Sequence, residues 1–362
     1  MVSTRIGLIN KYPLHLMIVG EKHSGKSALL NCIYMKSREI RDIFSGSSST
    51  LKSLVPSFKY NPAKLGYLAE SNRFAFCDEF LRCIANTRTT SDGSYREESV
   101  ATMNDLLEHQ KREAGSGVSQ ARPNMTARVI ATTNPIKGIN CMEDLINYLD
   151  GSFLSRWLIY FQNKEHYAPI RKSKDKELKT LKYKMSIDNF ISIIDYLNTF
   201  NSEYDDNKLD EILNSVPEML SENLRKHYDS RHRHHIECLM DGIVKTRCLF
   251  ERDMSFKAKE EDYEKLKEIW FKVISSWIDS DHIKKLPVEF RKYYIPENAQ
   301  YLFNQLCSEK RPLGRIEFEE IALKAMDKNT YRDMHILLRD LDLIIEDNGF
   351  VKPFYMKDGN TN

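Results

Sequence analysis

The chain of 362 residues has no apolar run long enough to span a bilayer. Its segment LHLMIV, residues 14–19, is too short for that and lacks the flanks of a signal peptide. Net charge is nearly absent: 54 basic and 52 acidic residues leave +2. Global attraction to a polyanion is therefore excluded, and any nucleic-acid contact has to come from local basic patches. The seven cysteines (Cys32, Cys77, Cys83, Cys141, Cys238, Cys248, Cys307) form no CxxC pair. That argues against a disulfide framework or a zinc site and for reduced thiols in an intracellular, cytoplasmic protein. Internal repeats and long low-complexity tracts are missing too. What is present is 41% hydrophobic and 10% aromatic residues, enough for real cores, at a length that suggests two or three compact units.

One stretch carries chemistry on its face. Residues 20–27 read GEKHSGKS, the spacing G-x-x-x-x-G-K-S of a phosphate-binding loop. Its flanks agree: His15–Val19 reads as a short buried strand and Lys26–Tyr34 as the start of a helix with apolar Leu29, Leu30 and Ile33. The glycines let the backbone curl so that N–H groups of Gly20, Glu21, Lys22, His23, Ser24 and Gly25 face phosphate oxygens, and the helix start adds positive potential. Lys26 is expected to neutralise the β/γ-phosphates of ATP, and Ser27 to hold Mg²⁺. Residues 73–80, RFAFCDEF, then give an apolar strand ending in two acids. Asp78 is expected to hold Mg²⁺ and Glu79 to take the proton of the attacking water. In residues 127–135, ARVIATTNP, a β-prone run ends at Asn134, whose amide can orient that water. In residues 151–161, GSFLSRWLIYF, Arg156 precedes another apolar strand, where an arginine can complete a neighbouring subunit's site.

The order of these motifs resembles an AAA+ ATPase, and their wording resembles the ATPase domain of the MCM replicative helicases. CDEF is similar to that family's acidic strand end, MNDLLEHQ (residues 103–110) to its helix ending in Glu-x-Gln, ARVIATTNP to its sensor strand, and FLSRW to its Leu-Ser-Arg-Phe finger. SSSTLKSL, residues 47–54, is similar to its serine-rich stretch after the P-loop helix. The resemblance covers residues 14–161 well and 225–270 weakly. It departs at Gly25, where the family commonly has Ala, and no counterpart of the family's N-terminal OB-fold and zinc-ribbon region precedes the P-loop in this sequence. The resemblance implies an α/β fold: an AAA+ P-loop core, an αβα sandwich over residues 1–165, with an α-helical lid over 166–282. It also implies a DNA-gripping hairpin between Gln110 and Asn134. The family's tip lysine falls on Ser116, and Lys111, Arg112 and Arg122 are the nearby basic candidates; AGSGV, residues 114–118, suits the tip. An arginine opening the third lid helix acts across the subunit interface in that family, for which Arg231 and Arg233 are both candidates.

Residues 163–184 read as a basic linker. Helical periodicity follows over Ile187–Phe200, Lys208–Tyr228, Arg231–Phe250 and Glu260–Ile278. His232, His234 and His235 lack a partner carboxylate or cysteine at ligand spacing, so a solvated basic face or a place at the nucleotide interface is expected, not a metal site. Residues 284–300 read as a tether with two prolines. Helical segments at Asn298–Cys307, Arg315–Asp327 and Thr330–Leu343 precede strand, Asn-Gly turn and strand in residues 344–356, the pattern of a C-terminal winged helix over 283–362. If it binds DNA, Tyr331, Arg332, His335, Arg339 and Lys352 are the expected contacts; acidic Asp333, Asp340 and Asp342 on the same helix weaken that reading, and a regulatory or protein-contact role stays open beside it. The expectation is a homo-oligomeric, hexameric ring that couples ATP hydrolysis to movement along single-stranded or duplex DNA in replication. A replication initiator or loader that uses ATP as an assembly switch, and a MoxR-type remodeller of polypeptides, stay open.

Overall fold

The computed structural model describes residues 14–22, 24–27, 30, 43–55, 66–71, 74–85, 94–108, 114–115, 120–121, 127–136, 139, 141–149, 151–162, 192–193, 195–228, 230–278, 283–284, 286 and 288–356. Two units emerge from the contacts within the chain, Met1–Gln162 with Glu177–Val273, and Asn163–Lys176 with Ile274–Asn362.

In chain order the first unit carries strands β1 (His15–Gly20), β2 (Phe44–Ser45), β3 (Phe74–Asp78), the short pair β4 (Ala114–Gly115) and β5 (Gln120–Ala121), β6 (Arg128–Thr133) and β7 (Trp157–Gln162). Five of them form one parallel sheet in the order β2-β3-β6-β1-β7, so the fold is mixed α/β. Strands of such a sheet are covered on both faces and read as apolar runs, as HLMIV and WLIYF do. β1 sits inside, with Leu16 opposite both Ile130 and Leu158. The strands run one way, so Gly20, Ser45, Asp78, Thr133 and Gln162 end at one edge of the sheet. β4 and β5 pair antiparallel, Ala114 with Ala121, as a hairpin requires.

His15 is a polar residue inside this core. The Val129 N–H donates to its Nδ1 at 2.9 Å, so the ring proton is on Nε2, which donates to the Leu107 carbonyl at 2.7 Å. One neutral imidazole thus ties β1 to β6 and to the helix Ser94–Leu107. Beside it, Phe80, Phe153 and Trp157 pack ring against ring, with Trp157 5.1 Å from Phe80 and 5.8 Å from Phe153.

The helical part differs from the sequence pattern in instructive ways. The periodic stretch Lys208–Tyr228 is two helices, Asp206–Asn214 and Glu222–His227, with a 3-10 turn at Pro217–Met219 between them. Pro217 has no N–H to continue a helix, and Ser221 starts the next by accepting from Leu224 N. Helix Ser230–Glu251 matches its expectation, and helix Glu260–Ser275 ends one turn early, closed by Trp277 N–H donating to Ile274 O at 3.0 Å. Of Ile187–Phe200, residues 192–193 and 195–197 are helical and the chain then turns. The solvated reading of the histidines fails for two of the three. His232 is buried and stacks on Tyr228 at 4.5 Å, and His235 is buried against it at 5.5 Å. Burial, with His232, His234, His15 and Arg231 nearby, pushes His235 well below the usual imidazole range. No group of three or more metal-capable side chains gathers among the described residues.

In the second unit, helices Glu297–Ser308, Arg315–Leu323 and Lys328–Asp340 pack on a three-stranded antiparallel sheet of β8 (Leu313–Gly314), β10 (Phe350–Pro353) and β9 (Ile344–Asp347), in that order. Asn348 and Gly349 both have positive φ, as a tight hairpin turn requires. The expected tether is instead packed chain: Val288–Arg291 is helical, Leu286, Tyr294 and Ile295 are buried, and Arg291 donates to the Lys284, Leu286 and Leu341 carbonyls. Tyr331 and His335 are not surface contacts either. Both lie in the core with Phe318, their rings stacked 5.4 Å apart, and His335 Nε2 is 2.9 Å from Glu346. Arg332 and Arg339 are exposed. Among the described residues no helix is long and apolar enough to cross a membrane.

Candidate functional site

The loop after β1 runs from Glu21 into helix at Lys26 and Ser27. Gly25 sits at φ +85°, a left-handed conformation that glycine adopts without penalty, at the point where the loop turns into helix at Lys26 and Ser27. Lys26 is buried under the loop. Its ammonium donates to the carbonyls of Gly20 (2.7 Å) and Glu21 (2.6 Å), to Ser24 Oγ (3.0 Å) and to Asn134 Oδ1 (3.2 Å). Burial lowers its pKa, while Glu79, Asp78 and Glu21 act in the opposite direction. Gln162, at the end of β7, donates to Ser24 O at 3.2 Å and braces the loop from the far side. Glu21 is half-buried, Lys22 is exposed, and His23 lies outside the described residues.

The acids meet this loop across the sheet edge. Ser27 Oγ donates to Asp78 Oδ2 at 2.9 Å, and Thr132 Oγ donates to Asp78 Oδ1 at 2.7 Å. The neighbouring Glu79 follows at φ +54° and donates its own N–H to Asp78 Oδ1. Asn134 joins the two halves: its carbonyl oxygen accepts from Lys26 while its amide nitrogen donates to Glu79 Oε1. The other carboxylate oxygen, Glu79 Oε2, is buried and accepts no hydrogen bond, with Arg82 Nε 3.3 Å away. Lys26, Ser27, Asp78, Glu79 and Asn134, spread over more than a hundred residues of chain, thus form one cluster.

The donor set fits a magnesium–nucleotide. Asp78 and Ser27 offer adjacent hard oxygens, the ligand type Mg²⁺ takes, and no sulfur or imidazole competes in that pair. Glu79 Oε2, which accepts no hydrogen bond and has the Arg82 guanidinium in ion-pair range, has capacity to accept a proton.

A second cluster forms around Glu108. Its Oε1 takes Arg156 Nη2 at 2.6 Å and Arg231 Nη2 at 2.5 Å. Arg156 also donates to Ser152 O, and its pKa is lowered by burial first and by Arg231 second. The structure separates the two arginines that sequence left level: Arg231 joins the Arg156 cluster, whereas Arg233 is spent on Asp206, Asp210 and Glu237 of the helical region.

Lys111, Arg112 and Arg122, with Ser116, lie outside the described residues. Sequence reasoning missed Thr132, Gln162, Arg82 and Glu108 as parts of these clusters. Only Glu108 had a signal, its place in Glu-x-Gln; a threonine or glutamine at a strand end says nothing until its neighbours are known. No protein-family model matches the sequence, and no curated protein matches it.

Proposed function

We propose that the chain is an AAA+ ATPase of MCM-like type, with a helical lid and a C-terminal winged helix, that hydrolyses ATP as a ring and moves along DNA. The observation that carries the ATPase part is the convergence of Lys26, Ser27, Asp78, Glu79 and Asn134 at one sheet edge. Ligands of open α/β sheets bind outside the carboxyl ends of the strands, which is where this cluster lies. Lys26 would exchange its carbonyl contacts for β/γ-phosphate oxygens. Ser27 and Asp78 would hold Mg²⁺, which when bound neutralises developing charge on the phosphates. Glu79 would accept the proton of the attacking water through Oε2, while Asn134, bonded to Oε1, fixes the carboxylate's orientation.

Arg156 is bound to Glu108 beside Arg231, an arginine pair that supports service to a neighbouring subunit's nucleotide. The strand–turn–strand of β9 and β10 after helix Lys328–Asp340 supports the winged-helix reading. DNA contact by that unit is less favoured than contact through the 109–128 hairpin, because Tyr331 and His335 are buried and the hairpin β9–β10 carries Glu346 and Asp347.

The test is ATP turnover with and without single-stranded DNA, for the parent, for Lys111, Arg112 and Arg122 all changed to Ala, and for a truncation after Pro312. The translocase reading expects DNA-stimulated turnover, steeply salt-sensitive DNA binding, and loss of the stimulation in the triple variant. DNA binding that survives the triple change and disappears on truncation supports the initiator or loader. No DNA effect in any protein supports the polypeptide remodeller. Absence of ATP turnover in the parent sinks all three.

A further inference from the structure

Glu79 stands on a strained turn. At φ +54° it is in the left-handed region, which residues with a Cβ enter at a penalty. The chain has no slack on either side. Asp78 ends β3, and Phe80 is fully buried between Phe153 and Trp157. The Glu79 carbonyl begins helix Phe80–Ala85 by accepting from Arg82 N (3.0 Å) and Cys83 N (3.4 Å).

The residue after β2 closes on this turn from the opposite side. Gly46 N–H donates to Asp78 O at 2.8 Å. A Cβ on Gly46 would lie 2.2 Å from Glu79 O, 2.8 Å from Glu79 C and 3.1 Å from Asp78 O. All three are backbone atoms, so no flexible side chain can yield. Gly46 is not itself in the left-handed region; the requirement for glycine comes from its neighbour. β2 is only two residues long, and its pairing of Ser45 with Asp78 brings Gly46 to this place.

We infer that Gly46 is a positioning residue for Glu79, an inference that rests on Glu79 being the base. Its bare backbone packs against the Glu79 carbonyl group, holds the Asp78 carbonyl through its N–H and keeps the turn left-handed, so that the carboxylate faces Asn134. A side chain at 46 pushes the turn away and misplaces the carboxylate without touching the phosphate loop. Misplacement by about 1 Å lowers turnover on the order of 100-fold.

The experiment compares Gly46→Ala with Gly66→Ala. Gly66 is a control that carries more strain: its Cβ would meet backbone Val55 O at 2.5 Å, its φ of +77° adds a left-handed penalty that Gly46 lacks, and the atoms nearest that Cβ belong to Val55 and Leu54, not to Glu79. Expected for Gly46→Ala is a kcat lowered about 10- to 100-fold with KM for ATP within about threefold of the parent, and a much smaller kcat loss in Gly66→Ala. Parental kcat in Gly46→Ala overturns the inference, as does an equal kcat loss in both variants. If Gly46→Ala alone does not fold, Gly46→Ala with Glu79→Gly is expected to fold, since glycine at 79 lets the turn withdraw. A double variant as unfolded as the single overturns the inference. The outcomes separate this claim from the ATPase reading: parental turnover in Glu79→Gln removes the base itself, whereas an inactive Glu79→Gln beside an active Gly46→Ala removes Gly46 alone.

Discussion

Lys26 and Glu79 share one amide, Asn134, yet they are expected to fail differently. Lys26→Ala takes away the cation under the loop, so ATP binding should be lost, as read by equilibrium binding of a fluorescent ATP analogue. Glu79→Gln keeps the shape and removes the proton acceptor, so binding should persist while kcat falls about 10²- to 10⁴-fold. Glu108 offers a test without nucleotide. It is the shared anion of Arg156 and Arg231, and it is buried. Glu108→Gln removes the carboxylate that both guanidinium groups share, with Asp105 still acting on Arg156. A loss of about 3 kcal/mol is expected in urea unfolding, the low end for a broken buried pair because Arg231 is partly exposed. A change near zero would mean that the two arginines are well solvated without Glu108.

Helix Ser230–Glu251 shows how an element gains a pH response from what covers it. His235 packs against His232 of the Tyr228–His232 stack, His232 in turn meets Trp270, and burial holds the His235 ring neutral. Above about pH 6.5 the ring is neutral in both the folded and unfolded chain, so it adds no pH dependence there. Below that value the unfolded chain takes up a proton that the folded ring refuses. The folded pKa is lowered, so stability falls as pH drops from about 6.5 toward that lowered value. Urea midpoints from pH 8 to pH 5 should decline in the parent more steeply than in His235→Gln; parallel curves would show that His235 protonates freely in the fold. The same helix also spends Arg247 on Asp262, whose two carboxylate oxygens share the single Nε–H at 3.0 and 2.9 Å, which ties it to helix Glu260–Ser275.

For the whole molecule the question is whether one chain suffices. Arg156 is committed to Glu108 in its own chain, and Lys26 to its own loop. If arginine and loop meet across a subunit boundary, turnover per chain should rise with protein concentration. Mixing inactive Arg156→Ala with inactive Lys26→Ala should then restore part of the activity, because one kind of interface holds both intact groups. Full activity in a monomer at low concentration, with no restoration on mixing, would rule out action of the arginine across a subunit boundary.

The sequence by itself determined what depends on neighbours along the chain. Gly25 before Lys26 sets the loop, apolar runs set β1, β3, β6 and β7, and Asn348–Gly349 sets the hairpin between β9 and β10. These are legible because backbone conformation and strand burial answer to residues a few positions away. Only the tertiary structure decided what depends on contacts through space. It put β6 between β1 and β3, so that Asn134 reaches both Lys26 and Glu79. It brought Glu108, 123 residues away, to Arg231 and set Arg233 among the acids of the helical region instead. It buried His232 and His235, read as part of a basic face, and Tyr331 and His335, read as DNA contacts of a winged helix. It also made Gly46 a requirement of Glu79, since the clash that excludes a Cβ lies on another strand's turn and has no trace in the residues around position 46.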